Sequence, residues 1–241
     1  MELTQQRIVL LGGTSGVGLA TAERCLAAGA EVIIASRSRE KVNQALAVLE
    51  QRATGEVVNA TSREELESFF DHLGAFDHLV LTVSGGEGSG PFRTLDLAAL
   101  QRGFTAKFWA QVQAAQVSLK TLQRTGSMTF VTAISARAGL TDTAGLAAIN
   151  GALEAMIKPL ASELRPIRVN AVSPGVIATP WWNSLSEEHR ERFFSQSASH
   201  TPVGRVGRAE DVAHAILFLL TNSFMTGSVI ECDGGLRLPS R

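Results

Sequence analysis

Residues 7–18 read Arg7-Ile8-Val9-Leu10-Leu11-Gly12-Gly13-Thr14-Ser15-Gly16-Val17-Gly18, and this stretch decides the fold. Four consecutive apolar residues, Ile8 to Leu11, suit a strand buried on both faces. The glycines after them supply backbone angles and close approaches that a side chain forbids. Leu19, Ala20, Ala22 and Leu26 then recur at helical spacing. A strand running through a glycine-rich turn into a helix leaves free N–H groups and the positive dipole end at the turn, which suit the pyrophosphate of a dinucleotide.

Outward from this unit, short β-branched runs alternate with helix-like segments. Strands are expected at Arg7–Gly12, Glu31–Ser36, Glu56–Asn59, His78–Val83, Ser127–Thr132, Arg168–Val172 and Ser228–Glu231. Helices are expected at Gly16–Ala28, Arg39–Gln51, Arg63–Leu73, Ala98–Gln123, Thr143–Leu164 and Ala209–Leu220. This alternation predicts a single α/β domain over residues 1–241, Rossmann-like, with a doubly wound parallel sheet of about seven strands and helices on both faces.

The second strand closes on Ser36-Arg37 with no acidic residue. An acid there holds the ribose 2′-OH of NAD, whereas an arginine accommodates the 2′-phosphate of NADP. Arg37, with Ser36 beside it, therefore points to NADP(H).

Composition excludes several classes. The chain has 241 residues with 22 Lys plus Arg against 23 Asp plus Glu, a net charge of −1, so no charge favours nucleic acid or an anionic membrane. No apolar stretch approaches the ~20 residues of a membrane span. The start MELTQQR lacks an apolar h-region, and the two cysteines, Cys25 and Cys232, fit a reducing compartment, so a cytoplasmic location is expected. Five scattered histidines without paired acids give no metal site. The chain contains no tyrosine.

With these motifs in place the sequence resembles the short-chain dehydrogenase/reductase family. The resemblance runs through the turn at 12–18, Asn170-Ala171-Val172-Ser173-Pro174-Gly175, Thr179-Pro180, Pro202-Val203-Gly204-Arg205, and Thr226-Gly227 with Asp233-Gly234-Gly235. It implies a cofactor site built from Gly12, Thr14, Ser15, Gly16, Val17, Gly18, Ser36, Arg37, Asn59, Ala60, Ser84, Gly85, Asn150, Pro174, Gly175, Ile177 and Thr179. Asn59-Ala60 stands where the family often has Asp against adenine, and Leu81-Thr82-Val83-Ser84 replaces its Asn-Asn-Ala-Gly. Residues 180–200, with Trp181 and Trp182, match the family's substrate lid. A small-molecule substrate and a homodimer or homotetramer are implied as well.

The family's catalytic Ser, Tyr and Lys fall at Ala133, Leu146 and Asn150, and its helix Asn falls at Lys107. The last two positions exchange a cation for an amide. Two readings stand. In one, Lys107 retains the cation from the neighbouring helix, Asn150 binds the nicotinamide ribose, and Thr132 or Ser135 donates to a substrate oxygen, with Arg137 available to an anionic substrate. In the other, both positions have drifted in a protein that binds NADP as a sensor, regulator or partner subunit.

Overall fold

The computed structural model describes residues 3–238. Its strands are β1 (Arg7–Leu11), β2 (Glu31–Ser36), β3 (Thr54–Val57), β4 (Phe76–Leu81), β5 (Leu122–Val131), β6 (Arg168–Pro174), β7 (Ile177–Ala178), β8 (Gly207–Arg208) and β9 (Val229–Cys232). Its helices are α1 (Gly16–Ala27), α2 (Arg39–Val48), α3 (Arg63–Leu73), α4 (Leu97–Gly103), α5 (Ala110–Ser118), α6 (Ala144–Glu163), α7 (Glu187–His200) and α8 (Ala209–Thr221). Seven strands form one sheet in the order β3-β2-β1-β4-β5-β6-β9, and every pair is parallel. β7 and β8 form a separate short parallel ribbon.

The all-apolar strands divide their side chains between two cores, because alternate residues of a strand face opposite sides. From β1, Val9 and Leu11 join Leu66, Ala114, Leu153 and Ile157 of α3, α5 and α6. Ile8 and Leu10 join Cys25, Val212 and Ile216 of α1 and α8. The strand order reverses between β1 and β4, and parallel pairing brings the carboxyl ends of all the strands to one edge. Open α/β sheets bind ligands in the crevice at such a point.

Several boundaries differ from the expected ones. β3 begins and ends two residues early because the chain leaves the ladder at Asn59, whose side-chain oxygen accepts from the backbone N–H (3.2 Å) and hydroxyl (2.9 Å) of Thr61. The helix expected to run to Gln123 ends at Ser118, and β5 starts at Leu122. A register irregularity lies between the Phe76–Leu122 and His78–Ser127 pairs. The sequence reading assigned no helix to residues 187–200, which form α7. Ser186 caps it by accepting from the His189 N–H, and Glu187 and Glu188 occupy its first turn. That Ser-Glu-Glu start is a helix signal the sequence carried.

The remaining departure matters most for function. Between α4 and α5 the chain winds as a π-helix over Phe104–Trp109, and Lys107 lies inside it. Such segments are rare in helices and recur at functional sites.

Candidate active site

The glycine turn sets one bank of the crevice. Gly12 has φ +93°, and a Cβ on it would lie 2.6 Å from Thr82 Oγ1. A Cβ on Gly18 would collide with the Gly12 carbonyl oxygen. These close approaches lock the start of α1 against β4. The N-cap of α1, Ser15, makes no side-chain cap, and no acidic residue sits in the first turn, so its N–H groups stay open. Thr14 and Val17 flank the same turn. Ser36 ends β2 half-buried and Arg37 comes next, exposed; no partner among the described residues engages its guanidinium.

Asn59 and buried Ala60 come after β3, and exposed Ser84 with Gly85 after β4. Pro174 and Gly175 lie at the end of β6, and Ile177 and Thr179 lead into the 180–200 segment. All these expected cofactor residues therefore lie along the carboxyl edge of the sheet. A Cβ on Gly16 would lie 3.2 Å from Thr179, so the start of the 180–200 segment rests close to the glycine turn. The Trp181 indole N–H donates to the Gly85 carbonyl (3.3 Å), and that of Trp182 to the Ile177 carbonyl (2.9 Å). Trp182 packs on Phe193 of α7 with ring centroids 4.6 Å apart. The segment after Thr179 is thus tied through Trp181 to the loop after β4.

Lys107, Asn150 and Ser135 make their polar contacts at or just beyond the end of β5. Lys107 is 9% exposed, and its ammonium donates to the Thr132 carbonyl oxygen (3.1 Å) at the end of β5. Only this one of its N–H donors has an acceptor among the described residues. Burial pushes its pKa down to about 8, against the opposing pull of the Glu154 carboxylate. Asn150, on α6, donates from Nδ2 to Ser135 Oγ (3.2 Å) and to the Leu146 carbonyl (2.9 Å). Its Oδ1 is buried with no partner among the described residues. A buried acceptor left unpaired is costly unless a ligand completes it. The Ser135 hydroxyl is buried and finds no protein acceptor among the described residues for its own proton.

Two expectations are corrected. Thr132 is not a free donor: its hydroxyl donates to Glu154 Oε1 (2.8 Å), with the Val172 carbonyl oxygen 3.3 Å away. Arg137 is not available to a substrate anion. Its guanidinium donates to Glu154 Oε2 (2.6 Å) and to Glu231 Oε1 (3.0 Å). Glu154, one turn beyond Asn150, was missed by sequence reasoning. The signal for it is the i, i+4 spacing that puts both side chains on one face of α6.

Comparison with known proteins places this geometry. A family model described as Enoyl-(Acyl carrier protein) reductase matches residues 12–237. The short-chain dehydrogenase/reductase fsr5 of Gibberella fujikuroi is 31% identical over 258 residues, covering 98% of this chain and 96% of that protein. This chain belongs to the short-chain dehydrogenase/reductase family. Among solved members of the family, a small-chain dehydrogenase in complex with NADPH superposes with a TM-score of 0.86 at 33% identity, covering 98% of this chain and all of that one. The apo short chain oxidoreductase of Pseudomonas aeruginosa PAO1, described as containing an atypical catalytic center, matches at TM-score 0.89 and 26% identity over the whole of both chains. In the short-chain dehydrogenase/reductase frame, the aliphatic Leu146 occupies a half-buried place on α6, one turn before Asn150.

Proposed function

We propose that this protein is an NADP(H)-dependent oxidoreductase that interconverts a small carbonyl compound and its alcohol, with Lys107 in place of the absent phenol. The observation that carries the reading is the buried Lys107 ammonium, which has only the Thr132 carbonyl as acceptor among the described residues. Charges held at the cost of desolvation cluster at functional sites, which supports the reading.

The chain's own groups fit a phosphorylated dinucleotide. The glycine turn receives a pyrophosphate, Arg37 offers a fork of donors to a 2′-phosphate, and the unpaired Asn150 Oδ1 accepts from a ribose hydroxyl. When bound, that cofactor supplies or accepts the hydride. The residues must then manage the proton. As hydride adds to a carbonyl carbon, the C=O π pair moves to oxygen. The Ser135 O–H stabilises that oxygen by donating a hydrogen bond, and a Lys107 N–H passes its proton to it, leaving a neutral amine that solvent reprotonates. Trp181 and Trp182 close over the site and exclude water. The NADPH-bound relative supports the cofactor assignment. As in the family at large, assembly as a homodimer or homotetramer is part of this reading.

The test combines calorimetric titration with NADPH and a carbonyl panel monitored by loss of reduced-nicotinamide absorbance. Tight binding with turnover on at least one compound is expected. Tight binding with no turnover on any compound turns the reading into that of a non-catalytic NADP-binding regulator, which the missing tyrosine favours.

A further inference from the structure

A chain of polar contacts runs from Lys107 to the surface. The Lys107 ammonium donates to the carbonyl oxygen of Thr132 (3.1 Å), and the hydroxyl of the same Thr132 donates to Glu154 Oε1 (2.8 Å). The second carboxylate oxygen of Glu154 accepts from Arg137 Nε (2.6 Å), whose other arm reaches Glu231 (3.0 Å). The Glu154 side chain is 8% exposed, whereas Arg137 and Glu231 are 39% and 25% exposed. The carboxylate is therefore held in low dielectric, where its charge acts strongly on a neighbouring cation.

The Lys107 ammonium rests on the Thr132 carbonyl just past β5, and the π segment that carries it packs against α6. Glu154 of α6 is the charged group that acts on it. Arg137, on the segment after β5, is divided between Glu154 and Glu231, and Glu87, on the loop after β4, pairs with Arg102 at the surface. The two carboxylate oxygens of Glu154 are filled by Thr132 and Arg137.

We propose that Glu154 is a positioning residue that holds the Lys107 ammonium in place and in its charged form through Thr132, with Arg137 as the opposing lever that moderates it. This rests on Lys107 being the group that faces the reaction. The two levers have opposite signs. Removing the Glu154 charge strips Lys107 of its attractive partner and exposes it to Arg137, so its proton is held less tightly. Removing the Arg137 charge leaves Glu154 less neutralised, so the proton is held more tightly.

The chain contains four lysines, Lys41, Lys107, Lys120 and Lys158, so a protein labelled with ¹³C at lysine Cε gives a spectrum simple enough to titrate. The Lys107 signal is the one lost in Lys107→Met. In Glu154→Gln, which keeps an oxygen for the Thr132 hydroxyl, the Lys107 titration is expected to move to lower pH by about one unit. In Arg137→Gln it is expected to move to higher pH. The alkaline limb of the pH–rate profile is expected to move with it in each variant. Shifts of the same sign in both variants, or a Lys107 titration unmoved in Glu154→Gln, overturn the proposal. If Glu154→Gln does not fold, Arg137→Gln, at a side chain 39% exposed, decides alone: a Lys107 titration unmoved or lowered there overturns the proposal. If the titrations shift as stated but Lys107→Met turns over at the wild-type rate, the coupling stands and the assignment of Lys107 as the proton donor fails.

Discussion

Replacing Lys107 by Met separates a working cation from a structural one. The two side chains have similar length, so the packing around residue 107 is conserved while the charge is lost. Burial lowers the ammonium from its ordinary 10.5 to about 8. At about 1.4 kcal/mol per unit, holding the charge in the fold costs about 3 kcal/mol at pH 7, where folded and unfolded chains are both protonated. Losing the hydrogen bond to the Thr132 carbonyl returns about 1 kcal/mol of that. Lys107→Met is therefore expected to be more stable than wild type by about 2 kcal/mol, a rise of roughly 4–8 °C in Tm for a chain of this size. Its turnover is expected to fall by about 10²–10⁴-fold, the usual contribution of a positioned acid. The stability gap has a pH signature. The lysine's folded value lies below its unfolded one, so wild type gains stability as pH rises from about 8 toward 10.5, and the two proteins converge there. Urea unfolding at fixed protein concentration from pH 7 to 10, beside NADPH oxidation assays, measures both quantities. A variant that loses stability, or that keeps its rate, refutes the argument, because a residue kept for the fold has no reason to carry that penalty.

Single contacts elsewhere set further outcomes. Arg37→Ala removes the exposed guanidinium at the end of β2, and it is expected to weaken NADPH by about 10–100-fold with NADH little changed; equal losses measured by calorimetry remove the 2′-phosphate assignment. His78, buried on β4 between Ser127 Oγ and Gln6 Oε1 at 2.7 Å each, has its pKa lowered from 6.5 to about 4, chiefly by burial and then by Arg168. Protonation is thus disfavoured in the folded state, and stability is expected to fall as pH drops below 6.5, by about 2 kcal/mol on reaching pH 5. His78→Gln should flatten that slope in urea titrations, and an unchanged slope would assign it to other groups.

The fold was legible because its signals are local and redundant. The apolar runs at Ile8–Leu11 and Val32–Ala35 suit strands buried on both faces, and the glycine turn after the first of them favours a helix start. β3 was displaced because an edge strand that buries little leaves a weak pattern, and the Asn59–Thr61 turn that ends it is a side-chain event. The identities at the catalytic positions were equally legible, since a missing tyrosine needs no geometry. The commitments of those residues were not. Thr132 and Arg137 look available in the sequence and are both held by Glu154, a residue 22 and 17 positions away, respectively, whose role depends on how α6 lies against the end of β5. The unpaired oxygen of Asn150 was likewise invisible, because an absence of partners exists only in three dimensions.

The irregular winding at Phe104–Trp109 has a consequence for how this site tolerates change in length. A regular α-helix turns by about 100° and rises 1.5 Å for each residue, so a π segment amounts to a helix carrying one residue more than its turns require. Excising one residue there would restore even winding and rotate one flank by roughly a quarter turn. Either Lys107 would swing off the Thr132 carbonyl or Ala110 and Ala114 would leave the core they help fill. The placement of this cation is accordingly set by the number of residues preceding it on the helix as much as by their identity.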